Sequence, residues 1–195
     1  KHKKQDPTKL MEQLYQCMSN PKDQVANLAC VLFKKYFLEG NAVSKETLQM
    51  LEQNLFNILN FERSQIVLHA QGGVIVRVYA RLEQIETLLQ KIIELNKHDN
   101  SAIRELSMYM LEILVDVHIP SQLAKDNIKD FKHIFQEGLN DSELKVRVAS
   151  LKATSSFITS LDDTNVAMEL SDLIQTILGT VIETLKVDEE ERKST

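Results

Sequence analysis

Residues that interrupt helices are scarce in this sequence. Five glycines, three prolines and no tryptophan occur among its 195 residues. Because strands and tight turns usually depend on glycine and proline, this scarcity favours long helical segments. Hydrophobic residues make up 43% of the chain and charged residues 26%, which is the balance of a soluble globular protein long enough to bury a core.

Several classes of protein are excluded by what is missing. The two cysteines, Cys17 and Cys30, match neither a zinc knuckle nor a redox motif, which predicts reduced thiols in a cytosolic or nuclear protein. No apolar run approaches the length that spans a membrane, and no signal-peptide core follows the basic residues 1–4. A net charge of -5 does not suit nucleic-acid binding. We expect a soluble intracellular protein that binds neither membranes nor nucleic acids.

Motifs that carry catalysis or bind metals are also missing. The five histidines form no HxxH, HExxH or HxH pair, and Gly72-Gly73 is not followed by the residues of a phosphate-binding loop. The doublet Asp162-Asp163 looks like paired carboxylates, but it lies between two predicted helices, where a helix cap is the simpler interpretation. The sequence therefore predicts a protein that is not an enzyme and has no catalytic residues, cofactor or metal site.

Amphipathic segments follow one another along the chain, and the second segment of each pair begins in the same way. A β-branched residue is followed four positions later by Ala or Ser. The β-branched residues, at intervals of 41, 37 and 43, are Val25, Ile66, Ile103 and Val146. Two helices in roughly forty residues are typical of HEAT and armadillo repeats.

This period predicts an all-α fold, a right-handed α-α superhelix that forms a single HEAT-repeat solenoid over residues 1–195. Neither helix of a pair can bury its apolar stripe alone, so the pairs must stack on one another. We expect about four helix pairs plus one extra helix. The pairs are predicted at 7–40, 44–80, 82–118 and 121–161, and the first helix of a fifth pair at 164–186.

One segment allows two interpretations. Gly72-Gly73 followed by residues 74–79, four of which are Val or Ile, could form a turn and a β-strand. Two glycines inside a helix cost roughly 2 kcal/mol relative to alanine. The repeat frame nevertheless places both glycines in the middle of a helix, and an isolated strand would have no partner. We predict a helix here, with a kink at the glycine pair.

Two polar pairs occupy equivalent places in the third and fourth repeats. Asp99 and Asp141 lie in the turns between paired helices, and Arg104 and Arg147 lie in the first turn of the second helices. An arginine can link neighbouring repeats by a bidentate bond to the carboxylate of the next turn. The alternative is a helix cap beside an exposed cation. We predict a structural ladder of Asp99, Arg104, Asp141 and Arg147.

The pattern Asp…(Val/Ile)-Arg-x-x-(Ala/Ser), present at 99–107 and 141–150, resembles the HEAT consensus. The segment 24–35, a run of small residues and leucines that ends in a basic pair, is similar to the second-repeat segment of importin-β-type karyopherins. The order of the helices resembles the amino-terminal arch of that family over nearly the whole chain. Two repeats depart from the ladder pattern, because they carry Ala26 and Val67 at the arginine position.

The resemblance implies a fragment of a monomeric nuclear transport receptor that shuttles between cytoplasm and nucleus. Its expected partners are GTP-bound Ran, a cargo protein with a basic signal, and FG-repeat nucleoporins. A HEAT scaffold of another complex, such as a phosphatase regulatory subunit, a coat adaptor or a chromosome-organising subunit, is the alternative. Side chains late in the second helices are expected to contribute to the partner-binding surface: Lys34, Lys35, Arg77, Arg81, Glu112 and Asp116.

Overall fold

A computed structural model describes residues 7–39, 44–59, 62–117 and 119–193. The regular structure of these residues is helical throughout, which confirms the all-α prediction. None of the helices in these ranges is both long enough and apolar enough to cross a membrane. The chain divides into two compact units, residues 1–88 and 89–195.

The described residues of the first unit form four complete α-helices and two shorter helices. A π-helix, Lys34–Glu39, continues the second α-helix, and a 3₁₀-helix, Leu55–Ile58, follows the third. The predicted end of the first repeat at Gly40-Asn41 lies outside the described residues. The α-helices are α1 (Pro7–Met18), α2 (Asp23–Phe33), α3 (Lys45–Glu52) and α4 (Gln65–Arg81).

Helix α4 is the central helix of the first unit. Nearly every residue between Val67 and Tyr79 is buried, and both Gly72 and Gly73 lie inside the helix. The helix prediction for this segment is therefore confirmed, and the strand interpretation is wrong. Burial on all sides explains why a β-branched run folds as a helix, because tertiary packing overrides its weak local preference. The kink at the glycine pair stays a prediction.

The second unit packs around a cluster of three phenylalanines. The ring centroid of Phe131 lies 4.4 Å from that of Phe157, and Phe135 lies 5.3 Å from Phe157. All three side chains are fully buried. The helices are α5 (Ile85–Asn96), which begins in the first unit, α6 (Ser101–Val117), α7 (Ser121–Asp126), α8 (Ile128–Leu139), α9 (Leu144–Ser160), α10 (Thr164–Met168) and α11 (Leu173–Lys193). Residue 118, the predicted end of the third repeat, lies outside the described residues.

The segment predicted as one helix at 164–186 forms two, because a turn at 169–172 separates α10 from α11. The side chain of Asp163 accepts a hydrogen bond from the backbone N–H of Asn165 at 2.9 Å, so the predicted cap at this position is confirmed. Leu170, within the turn, and Leu173, directly after it, are both buried, whereas Glu169, Ser171 and Asp172 are exposed. The turn therefore lies at the surface and is anchored to the core by two leucines, although it contains neither glycine nor proline.

Candidate functional site

Arg104 and Asp141, both predicted ladder residues, lie in contact in the second unit. The guanidinium donates two hydrogen bonds to the carboxylate, Nε to Oδ2 at 2.6 Å and Nη2 to Oδ1 at 2.9 Å. Its Nη1 also donates to the backbone carbonyls of His98 and Asp99, at 2.9 and 2.8 Å. The side chains are only 16% and 10% exposed. Such a bidentate pair links the turn before α6 to the turn before α9 with defined geometry.

The electrostatics of Asp141 depend on this pairing. Burial alone would raise the pKa of the Asp141 carboxyl, but hydrogen bonds from Arg104 and from the backbone N–H of Glu143 oppose it. The positive charges of Arg104 and Arg147 act in the same direction, and together these contacts hold the pKa of Asp141 below its ordinary value. The carboxylate is therefore ionised at neutral pH, although it is mostly withdrawn from water.

Arg147 repeats the arrangement one helix pair later. Its Nη1 donates to the carbonyls of Asp141 and Ser142, at 2.8 and 3.0 Å, and its Nη2 lies 3.2 Å from a carboxylate oxygen of Glu183. Both arginines thus bond the carbonyls five and six residues before them and a carboxylate 36 or 37 residues after them. The sequence analysis did not identify Glu183, because it lies inside α11 and not in a turn.

Asp99 takes part through its backbone in the contacts described above. Its carbonyl accepts a hydrogen bond from Arg104. The hydrogen bond to Asp141 is the largest effect that raises the pKa of the Arg104 guanidinium, and the negative charge of Asp99 adds to it.

A groove of about 430 Å³ lies between the Asp141 turn and α11, with Arg147 and Glu183 in its wall. The guanidinium Nε of Arg147 is buried there without a hydrogen-bond partner.

The first unit has a corresponding contact made from different residues. Asp23, at the start of α2, accepts a hydrogen bond from Ser64 Oγ at 2.6 Å. Arg63 donates to the carbonyl of Ser19 at 3.0 Å, and its Nη1 lies 3.9 Å from Asp23. The turn before α2 is thus joined to the turn before α4, even though Ala26 occupies the consensus arginine position. Only the separation of about one repeat could have indicated this contact from the sequence.

The predicted partner-binding residues of the first unit lie on the π-helix and at the end of α4. Lys35 is exposed and Lys34 is half-buried. Arg81 Nη1 donates to the carbonyls of Phe37 and Leu38, at 3.2 and 2.9 Å, so it holds the end of the π-helix against α4. Arg77 Nη1 donates to the Gly73 carbonyl at 3.2 Å. The structure therefore brings Arg81 to the same segment as the lysine pair.

The two acidic residues of the predicted surface belong to the second unit. Glu112 is half-buried and Asp116 is exposed, and both lie in the last two turns of α6. The predicted partner-binding residues are consequently divided into a basic group in one unit and an acidic group in the other.

Within the described ranges, no group of three or more His, Cys, Asp or Glu side chains is arranged to hold a metal ion.

Comparison with known proteins identifies relatives of this fold. A probable importin-5 homolog of Dictyostelium discoideum is 22% identical, over 95% of this chain and 18% of its own length. The karyopherin Kap121p bound to the SUMO protease Ulp1p superimposes with a TM-score of 0.75 at 23% identity, covering 97% of this chain and 18% of the karyopherin. Kap121p bound to Nup53p gives 0.73 at 22% identity, with the same coverage. These similarities confirm the predicted HEAT-type fold.

The chain spans about a fifth of the length of the relatives that it matches. A family model described as "IPO5-like, TPR repeats" matches residues 80–194, which is more than half of the chain. The protein therefore belongs to the IPO5-like family, and the predicted membership of the importin-β-type karyopherins is confirmed.

Proposed function

We propose that this chain is part of a nuclear transport receptor and acts there by binding, without a catalytic step. The match of residues 80–194 to the IPO5-like family carries the proposal. Kap121p, which shares the fold, has been solved in complex with several proteins, among them Nup53p, Ste12p and Pho4p. By analogy, the receptor binds GTP-bound Ran, a cargo protein with a basic signal and FG-repeat nucleoporins, and it shuttles between cytoplasm and nucleus as a monomer.

The π-helix in the first unit supports a direct contact with a partner. Lys35 and Tyr36 are adjacent and exposed, and Tyr36 keeps 53% of its surface accessible. Short π-helical segments occur frequently at functional sites, and tyrosine is enriched in protein interfaces. Arg81 fixes the carbonyl end of this helix. We therefore assign Lys35 to partner contact, together with Lys34 and Arg77 of the predicted set, and Arg81 to positioning.

A second contact region is proposed in the second unit. Asp116 is exposed near the end of α6, one turn after Glu112, so both carboxylates lie on the same stretch of the helix. They suit a basic segment of a partner. The two regions are independent hypotheses, and each can be tested by charge reversal without the other.

The polar ladder is proposed to set the spacing between neighbouring repeats. Arg104 and Arg147 each bond backbone of their own turn and a carboxylate of the next repeat. A receptor that changes curvature to take up or release a partner must do so through such interfaces, since each repeat contacts only its neighbours. The ladder residues Asp99, Arg104, Asp141 and Arg147 then limit how far adjacent repeats can tilt.

The decisive experiment measures binding of the receptor to Ran loaded with GTP or with GDP. We expect binding to the GTP form alone, and we expect Lys35→Glu to weaken it about tenfold, as loss of a charged interface contact does. Lys129→Glu, at an exposed lysine on the first helix of a pair, is the matched control and should have no effect. Equal binding of both nucleotide forms, or none, would instead favour a HEAT scaffold of another complex.

A further inference from the structure

Two corresponding contacts between neighbouring turns differ in how completely they are bonded. In the second unit, Arg104 donates two hydrogen bonds to Asp141, at 2.6 and 2.9 Å. In the first unit, Nη1 of Arg63 lies 3.9 Å from Oδ1 of Asp23, which is beyond hydrogen-bond distance. This nitrogen is buried and has no hydrogen-bond partner among the described residues, and the Arg63 side chain is only 8% exposed. A charged group withdrawn from water with an unused donor is unfavourable, so the gap needs a physical cause.

Ser64 occupies the carboxylate that Arg63 would otherwise bond. Its Oγ donates to Oδ2 of Asp23 at 2.6 Å. Ser64 is also the N-cap residue of α4, yet its side chain makes no capping hydrogen bond to that helix. Arg63 meanwhile donates through Nη2 to the carbonyl of Ser19 at 3.0 Å. Two residues that are adjacent in the chain, Arg63 and Ser64, therefore compete for Asp23.

A second arrangement of the same three residues would satisfy more polar groups. A shift of about 1 Å would bring Oδ1 of Asp23 within hydrogen-bond distance of Nη1 of Arg63. Ser64, released from Asp23, could then cap the N-terminus of α4, as serine commonly does. Asp23 has room to move, because its side chain is 44% exposed. Asp141, by contrast, is 10% exposed and already accepts both hydrogen bonds from Arg104.

We propose that Asp23, Arg63 and Ser64 form an adjustable joint between the first two repeats, and that Ser64 holds this joint open. In the open arrangement Asp23 is bonded to Ser64; closing transfers it to Arg63 and draws the turn before α2 towards the turn before α4. This role rests on the proposed function, in which a receptor changes curvature at the interfaces between its repeats. The interface between the first two repeats is then more compliant than the one that Arg104 and Asp141 hold with fixed geometry.

A double-mutant cycle in the 195-residue chain tests the joint without any partner. The coupling between Asp23 and Arg63 is the factor by which Asp23→Asn and Arg63→Gln depart from additivity in the unfolding equilibrium constant. We expect a factor of about three or less in the wild type, as for a weak ion pair. In a Ser64→Ala background we expect about ten or more, because Asp23 is then free to bond Arg63. Equal coupling in the two backgrounds would overturn the proposal.

Hydrogen exchange at the start of α2 gives a second measurement, which leaves the buried Arg63 in place. Ser64→Ala should raise the protection of these amides about threefold or more, since closing of the joint suppresses local opening. A Ser64 that served only as a structural hydrogen-bond donor would give the opposite result. Unchanged or lower protection in Ser64→Ala would therefore show that the joint does not close.

Ser142→Ala is the matched control for both measurements. Ser142 is an exposed serine beside Asp141, in the turn before α9. Its replacement should change neither the coupling between Arg104 and Asp141 nor the protection at the start of α9. Because none of these measurements involves Ran, a failure of the joint and a failure of the proposed transport function can be distinguished.

Discussion

Gly138 allows a test of how closely the helices of the second unit pack. It lies inside α8 with an ordinary negative backbone φ, so it was not selected for a left-handed turn. A Cβ atom built at Gly138 would overlap Ser150 Oγ and would lie 3.0 Å from Ser150 Cβ and 3.2 Å from Met108 Sδ. Gly138→Ala should therefore force α8 away from α9.

The size of the effect follows from two opposing contributions. Alanine improves the helical preference of this position by about 0.5–1 kcal/mol. Overpacking of a close-packed site costs about 1–3 kcal/mol. Ser150 cannot move aside freely, because its buried hydroxyl donates to the Val146 carbonyl at 2.7 Å. We expect a net loss of about 1–2 kcal/mol in the free energy of unfolding.

The assay is urea denaturation followed by circular dichroism, with Gly179→Ala as the matched control. A Cβ at Gly179 would meet nothing within 4 Å, so that alanine should stabilise the chain by about 0.5–1 kcal/mol. Ser150→Ala removes the atom of closest approach, and the cost of Gly138→Ala should fall in that background. If Gly138→Ala stabilised the chain as much as Gly179→Ala does, the close contact between α8 and α9 would be refuted.

Three further changes have defined outcomes. Asp141→Asn should lower the free energy of unfolding at pH 7 by about 2–4 kcal/mol, because it leaves the mostly buried charge of Arg104 without its anion. A loss of unfolding free energy below about 0.5 kcal/mol, measured by calorimetry, would refute this. The folded-state pKa of Asp141 is lowered, so the stabilisation from its ionised carboxylate is complete above the unfolded-state pKa of about 3.9 and is lost as the pH falls through the folded-state pKa. The free energies of unfolding of the wild type and the variant should therefore converge in acid. Burial raises the pKa of Cys30 to about 12, so a thiol reagent at pH 8 should modify the half-buried Cys17 first, and Cys30 only after denaturation. Gln71→Leu should lower the free energy of unfolding by about 1–3 kcal/mol, because the carbonyls of Met18 and Ile58 lose their buried hydrogen-bond donor. An unchanged midpoint of thermal unfolding would contradict this prediction.

The local sequence pattern was sufficient to predict the helices and the repeat period. The small residue of the recurring pattern is buried in each second helix, as close approach of neighbouring helices requires: Ala29, Ala70, Ser107 and Ser150. The β-branched residue four positions earlier is buried at Ile103 and Val146 but exposed at Val25 and Ile66. The period also brought together residues at equivalent positions, so the proximity of Arg104 and Asp141 could be anticipated. The helix at Gly72-Gly73 was predictable only from the period, because its local sequence equally favours a strand.

Other contacts depend on where a neighbouring helix places its side chains. Glu183 reaches Arg147 from the middle of α11, and Arg63 contacts Ser19 and Asp23 from an irregular turn, so neither follows a consensus position. The turn at 169–172 likewise has no local signal.

The sequence by itself determined the all-α class, the paired-helix period and the family, because these depend on the spacing and the type of residues along the chain. The tertiary structure alone decided which polar groups meet between repeats, and why Gly138 must lack a side chain. These features depend on contacts between different helices and turns, such as α8 with α9 at Gly138 and the two turns joined by Arg104 and Asp141, which no local pattern specifies.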